Sequence, residues 1–397
     1  MQLCRDILES QDDTPESMYM VKEALRTEKS KYLELHKRYH AELIRRRKLH
    51  NILQDLKGNI RVMCRVRPLL YNELKKLPNR SAGDWLQIPE ECMIVAVNEE
   101  SNKISSFEFD RVFSPKEGQD IVFEEVQPMI VSFMDGYNVA ILAYGQTGSG
   151  KTYTMEGTSG NEGVTFRALK EVFAIAEERA DTYKYEFAMT IVEIYNERVR
   201  NLLDKRADKL ELMEGANGKV KIVGLTSQKI NNVHDAIKLF EIGKSNRSIG
   251  VTNVNEYSSR SHSILSIYIK GINQELKQKI KAKLDLVDLA GSERLSKSEA
   301  EGERMKEAMN INLSLTTLGK VLNSLAAKSS HIPYRDSKLT HMLKASIGGD
   351  SKTLMVVQAS PNPGDTQESL TTLSFGARVC NIEKGKAKKN ATRIGKK

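Results

Sequence analysis

The apolar run from Val139 to Tyr144 leads without a break into Gly145, Gln146, Thr147, Gly148, Ser149, Gly150, Lys151 and Thr152. This string satisfies G-x-x-x-x-G-K-[ST] in full, at the point where a strand should turn into a helix. Each residue type has a chemical reason to be there. The glycines let backbone N–H groups approach phosphate oxygens, and the helix N-terminus that follows adds its positive end. Lys151 reaches the outer phosphates, and Thr152 offers a hydroxyl to Mg²⁺. A nucleoside triphosphate is therefore the expected ligand, and the fold has to supply a strand, a loop and a helix in that order.

A triphosphate site also needs a sensor for the third phosphate and a second holder for the metal. The apolar run Leu284 to Leu289 contains Asp288 at its end, with Gly291 three residues further on. Asp288 is placed to bind the Mg²⁺ shell through water, and the Gly291 N–H to meet the γ-phosphate. Alone, such a D-x-x-G is a common strand terminus, and the upstream loop is what gives it meaning. No Asn-Lys-x-Asp element is present to read guanine.

Other strands are expected at Ile60 to Val66, Phe187 to Tyr195, Ser263 to Ile269 and Thr353 to Ala359. Helices are expected at Phe166 to Arg179, Arg304 to Ala327, Asp336 to Ala345 and Gln367 to Asn381. This alternation indicates an α/β fold, a three-layer P-loop NTPase whose central, mostly parallel twisted sheet is flanked by helices.

The segment before this domain is different in kind. From Pro15 to Leu56 there is no glycine, and the only proline stands at the start. A heptad frame places Met18, Val21, Leu25, Glu28, Tyr32, Leu35, Tyr39, Glu42, Arg46, Leu49, Leu53 and Leu56 at a and d, nine of the twelve being apolar. That pattern predicts a coiled-coil helix, with a surface helix packed on its own domain as the alternative. Gly58 and Asn59 should end it. The expected organisation is a flexible start (1–14), a stalk helix (15–58), the α/β domain (59–382) and a basic flexible tail (383–397).

Charge narrows the partners. The chain has 61 bases and 52 acids, a net +9. Residues 1–57 carry 12 bases and 10 acids, residues 58–375 carry 41 of each, and residues 376–397 carry 8 bases and 1 acid. The α/β domain is thus neutral overall, so any acidic partner must be met by a local patch or by the tail. No apolar stretch approaches the length of a membrane span, Met1 to Asp13 lacks the apolar block of a signal peptide, and the four cysteines have no metal-ligand spacing. A soluble intracellular protein with reduced thiols is the default expectation, with neither a membrane nor a nucleic acid as partner.

Five tracts resemble the kinesin motor domain, in that family's order, over about Ile60 to Asn381. They are Arg65 to Pro68, Tyr144 to Met155, Asn255 to His262, Asp288 to Glu293 and His331 to Thr340. The resemblance implies a microtubule-stimulated ATPase that uses ATP and Mg²⁺. It puts Arg65 and Pro68 beside adenine and Tyr153 at a stacking position. It makes Ser259 a Mg²⁺ ligand, Ser258 a positioner of attacking water, and Arg260 the ion-pair partner of Glu293, the two switches closing over the γ-phosphate. Lys297, Lys306, Lys320, Lys328, Arg335, Lys338 and Lys344 would face tubulin; from Ala308 to Ser346 five bases meet the single acid Asp336, a local +4. Leu313 stands where many relatives carry lysine.

The helix before the domain, joined through Leu49 to Arg61, resembles the neck of the C-terminal-motor kinesins, the kinesin-14 class. That likeness implies minus-end-directed motion by a swinging N-terminal neck, a homo- or heterodimer through residues 15–56, and a place on cytoplasmic and spindle microtubules. Two other readings stand beside it: a motor-like microtubule-binding subunit with weak or no catalysis, and a P-loop NTPase without a polymer partner. The tail is expected to be solvated, to touch tubulin's acidic tails, or to dock beside the neck.

Overall fold

Apolar runs bounded by turn residues form strands, and amphipathic segments between them form helices. The computed structural model describes residues 14–76, 85–98, 103–204, 210–215, 220–248, 259–273, 275–293, 303–382 and 387–393. The chain divides into two units, Met1–Leu56 and Lys57–Lys397. The described part of the first is a helix, α1 (Pro15–Leu56, 42 residues), on the order of 60 Å long at 1.5 Å per residue. Exposed ion pairs of the i,i+3 and i,i+4 kind (Arg26–Glu23, Lys31–Glu28, Arg38–Glu34) run along it. Much of the heptad seam is open to solvent, including Leu25, Tyr32, Leu35, Tyr39 and Leu56.

The second unit is built on a ten-stranded sheet. Its strands are β1 (Ile60–Val66), β2 (Arg111–Phe113), β3 (Val139–Tyr144), β4 (Tyr183–Tyr195) and β5 (Arg198–Asn201). A hairpin outside the sheet contributes β6 (Glu211–Glu214) and β7 (Val220–Val223), after which come β8 (His262–Asn273), β9 (Gln278–Asp288), β10 (Lys352–Ala359) and β11 (Ala391–Arg393). The main order is β5-β4-β8-β9-β3-β10-β1-β2, with Gln228–Ile230 added to β4 and β11 to β9. From β9 to β2 all pairings are parallel. The opposite half, β5-β4-β8-β9, is antiparallel.

Alternation along each strand feeds two apolar layers. In β3, Ala140, Leu142 and Tyr144 belong to one, with Leu318 and Val321 of α6 (Glu303–Ala326) and Leu373 and Phe375 of α7 (Thr366–Cys380). Val139, Ile141 and Ala143 belong to the other, with α2 (Gln119–Met134), α4 (Val164–Glu178) and α5 (Val233–Ser248). The short α3 (Lys151–Met155) follows the phosphate loop. These layers match the expected three-layer architecture. No helix among the described residues is long and apolar enough to cross a membrane.

Two local expectations change. The helix expected over Asp336 to Ala345 is two short ones, Lys338–Met342 and Lys344–Ile347, the first started by Ser337, whose Oγ accepts the Thr340 N–H at 3.1 Å. A helix not among those expected, α2, carries Pro128 inside it. The basic tail is not wholly solvated: β11 pairs Ala391 with Ile280 and Arg393 with Gln278. It lies where β9 overhangs its neighbour β3, whose own pairing spans only Leu284–Asp288. The overhang's unpaired backbone groups give the tail a reason to dock.

Candidate nucleotide and track sites

The phosphate loop turns on three glycines with left-handed φ, Gly145 (151°), Gly148 (75°) and Gly150 (104°). At Gly145 a Cβ would lie 2.6 Å from the Gln358 carbonyl oxygen, so only glycine fits there. Lys151 is buried, and its Nζ donates to the carbonyls of Gly145 and Gln146, both at 2.8 Å. Burial lowers its pKa, while Asp288 and Glu293 work in the opposite sense. Ser149 Oγ donates to the Gln146 carbonyl at 2.7 Å. Because α3 has only five residues, its dipole adds little to the positive end expected after the loop.

A cleft of about 690 Å³ opens over the loop, lined on its phosphate side by Thr147, Lys151, Thr152 and Ser259, and on the other by Arg65, Pro68, Tyr153 and Pro115. The Arg65 guanidinium lies 5.3 Å from the Tyr153 ring centroid. Arg65 donates to Gln119 Oε1 (2.8 Å) and Thr154 Oγ1 (3.0 Å). Arg65 is thus a buried wall that props Tyr153, whereas Pro68 and Tyr153 are exposed at the cleft. Their predicted positions beside a base are consistent with this geometry.

Behind the loop, Asp288 Oδ2 accepts from Thr152 Oγ1 at 3.0 Å and from Arg247 on α5 at 3.2 Å. Arg247 also donates to Ser261, from Nε to Oγ at 3.2 Å and from Nη2 to the carbonyl at 2.8 Å. Asp288 Oδ1 is buried with no hydrogen-bond partner. Two hydroxyls, Thr152 and Ser259, and a carboxylate with one unsatisfied oxygen form a hard-oxygen donor set that fits Mg²⁺.

The switch tracts meet here, in an arrangement that differs from the expected one. The Gly291 N–H donates to the Ser259 carbonyl at 2.7 Å, and the Ser292 N–H to Gly145 O at 3.1 Å. Glu293 accepts from Thr147, N to Oε2 at 2.8 Å and Oγ1 to Oε1 at 2.5 Å. In this arrangement both carboxylate oxygens of Glu293, the expected partner of Arg260, accept from Thr147, and the Gly291 N–H donates to the Ser259 carbonyl. Ser258 lies outside the described residues.

Three residues given no role from the sequence emerge as supports. Arg67 pins the loop through Nε to the Gly148 carbonyl (2.8 Å) while gripping Glu73 with both terminal nitrogens (2.7 and 2.6 Å). Arg247 anchors Asp288. His262 is buried and accepts the Ala290 N–H at 3.0 Å. Arg67 and His262 stand inside the quoted tracts; Arg247 carries no local signal.

Of the cations expected to face a track, Lys320, Lys328, Arg335 and Lys338 are exposed and Lys344 is half-buried. Lys297 and the Lys306 side chain lie outside the described residues. Glu214, at the end of β6, accepts from Arg335 at 2.8 Å and from Lys344, with His341 Nε2 at 3.7 Å. Hydrogen bonds from Lys344 and Arg335 pull its carboxyl down to about 2. Glu197 Oε2 also accepts the Lys338 N–H at 2.7 Å, so the patch has three acids, Asp336, Glu214 and Glu197, against its five bases, and the local +4 becomes +2. Leu313 is exposed on α6.

The family described as "Kinesin motor domain" matches residues 65–382. The chain is 45% identical over 390 residues to Kinesin-like protein KIN-14R of Arabidopsis thaliana, covering 98% of this chain and 36% of that protein. It thus spans about a third of that relative's length. Among solved structures, one of the C-terminal motor and motor homology domain of Kar3Vik1, fused to a synthetic heterodimeric coiled coil, aligns with a TM-score of 0.82 at 34% identity, covering 96% of this chain and 99% of that one. A structure of a fast kinesin aligns at 0.78 with 37% identity, covering 85% and 95%.

Proposed function

The chain belongs to the kinesin motor family and is most similar to its kinesin-14 class, and from that premise we propose that it is a microtubule-stimulated ATPase that couples hydrolysis to force. The observation that carries this reading is the meeting of the two switch tracts, Gly291 with Ser259, beside the phosphate loop that the second tract holds through Glu293 and Thr147. Such a junction lets the state of a bound phosphate set the position of the segment leading to α6.

In this reading ATP lies in the cleft with its base against Tyr153 and Pro68 and its phosphates on the loop N–H groups and Lys151. Thr152 and Ser259 would hold Mg²⁺ directly and Asp288 through water; the ion would offset phosphate charge. Arg247 keeps Asp288 oriented. Glu293 would exchange Thr147 for Arg260 when the switches close, and Ser258 would orient the attacking water. Lys320, Lys328, Arg335, Lys338 and Lys344, with Lys297 and Lys306, would meet the acidic microtubule surface, giving salt-sensitive association.

The class likeness and the long helix before the motor support minus-end-directed motion, with α1 as the lever. The exposed seam supports a two-stranded coiled coil with a second helical chain. Spindle and cytoplasmic microtubules are the proposed setting. The test is steady-state phosphate release with and without microtubules, alongside gliding on polarity-marked filaments. A rate that microtubules leave unchanged refutes the motor reading, and plus-end gliding refutes the direction.

A further inference from the structure

His262 is the last residue of the first switch tract, and both of its ring nitrogens are committed. Nδ1 accepts the N–H of Ala290, the residue before Gly291, at 3.0 Å. Nε2 lies 2.7 Å from Ser314 Oγ on α6. Ser314 Oγ in turn donates to the Ile311 carbonyl at 2.7 Å. Since Nδ1 accepts, the ring proton of the neutral imidazole sits on Nε2 and is donated to Ser314. Burial, with Arg247 and Lys151 adding to it, pushes the ring pKa down to about 3. The ring therefore stays neutral in one tautomer, and its role is that of a rigid spacer.

Three elements that no single helix or strand joins are linked by this spacer: the start of β8, the second switch at Ala290 and the middle of α6. Apolar contacts between α6 and the sheet tolerate sliding, but two directional hydrogen bonds on opposite sides of a flat ring do not. Displacement of the Ala290–Gly291 backbone has to move Ser314 or break a buried bond. An imidazole N–H left without an acceptor in that interior costs more than the bond itself contributes.

We propose that His262 is a positioning residue that couples the second switch to α6, so that track binding at the helix accelerates hydrolysis at the phosphate loop. This rests on the motor reading above and adds the physical link within it. His262 and Ser314 touch neither nucleotide nor track; their removal should uncouple the two sites and leave each intact.

The test uses half-mimics in the full chain. Asn at 262 keeps an acceptor for Ala290 but cannot reach Ser314; Gln reaches toward Ser314 but gives up the Ala290 bond. Ser314→Ala removes the acceptor on the helix, and Ser314→Thr restores it. Expected for His262→Asn, His262→Gln and Ser314→Ala is a roughly tenfold loss of microtubule stimulation, with basal turnover and the KM for ATP within about twofold of the parent and with recovery in Ser314→Thr. Pelleting with microtubules in a non-hydrolysable ATP analogue should be unchanged. Full stimulation in Ser314→Ala and His262→Asn overturns the coupling role. So does an equal loss of basal and stimulated rates, or a failure of Ser314→Thr to recover. If the parent chain itself shows no stimulation, the motor reading fails instead.

Discussion

Arg67→Met should weaken both nucleotide binding and the fold, because one side chain performs two separable tasks. Its Nε holds the Gly148 carbonyl at 2.8 Å, and its terminal nitrogens hold Glu73 at 2.7 and 2.6 Å and Ser360 Oγ at 2.8 Å. Gly148 sits at φ 75° in the middle of the phosphate loop, where a Cβ would meet nothing within 4 Å. No side-chain packing replaces the lost bond there. A hydrogen bond from a charged donor contributes about 1.5–3 kcal/mol, which at about 1.4 kcal/mol per decade corresponds to a roughly 10- to 150-fold rise in Kd if nucleotide has to reorder the loop. Glu73→Gln separates the tasks, since it disturbs the Arg67–Glu73 pair and leaves Nε on Gly148. That variant should lose about 1–2 kcal/mol of stability with its nucleotide Kd within about threefold of the parent. Titration with a fluorescent ADP derivative, alongside thermal unfolding followed by circular dichroism, reads both quantities. Equal weakening in the two variants, or an unchanged Kd in Arg67→Met, would refute the claim that the Gly148 bond preorders the loop.

Glu293→Ala should still bind ATP yet lose hydrolysis by roughly a hundredfold or more, and unchanged steady-state phosphate release would remove Glu293 from the mechanism. Glu214→Gln frees Arg335 and Lys344 from an internal acid, so microtubule affinity at low salt should rise roughly threefold and the gain should vanish at high salt; a co-sedimentation assay showing weaker binding contradicts this. For pH, burial alone would raise the Glu73 carboxyl, but hydrogen bonds from Arg67 and the Leu70 N–H outweigh it and hold it below the ordinary 4.5. A depressed carboxyl stabilises the fold above that value and loses its contribution as pH falls through the folded pKa. The Tm gap between the parent and Glu73→Gln should therefore narrow as pH falls below the ordinary 4.5 and through the lower folded pKa, and a gap that widens on acidification has the wrong sign.

The parts of the fold written in local pattern were legible. Ile60 to Val66 and Val139 to Tyr144 are strands with the expected bounds, and α1 spans the glycine-free run from Pro15 to Leu56. The phosphate loop was legible because its residues are consecutive and each has a chemical reason. What escaped was made by pairings across sequence. Glu214 meets Arg335 over 121 residues and Lys344 over 130. Arg247 meets Asp288 over 41. No periodicity encodes such contacts, so a charge count along residues 308–346 missed the acids that fold onto them. The contact of Glu293 with Thr147 escaped for a related reason: the tracts do converge, but Thr147 offers Glu293 two donors that a comparison of motifs does not weigh.

Docking of β11 also has a mechanical consequence. Backbone bonds from the Lys281 N–H to the Asn390 carbonyl (3.0 Å) and from the Asn390 N–H to the Gly136 carbonyl (2.9 Å) fasten this segment to β9 and to the turn after α2. A load applied beyond Arg393 at right angles to the strand would open these bonds one after another, as a zip, whereas a load along it would shear them together. The last described strand is therefore a fuse whose strength depends on the direction of pull. The strand it would tug, β9, ends at Asp288 beneath the phosphate loop.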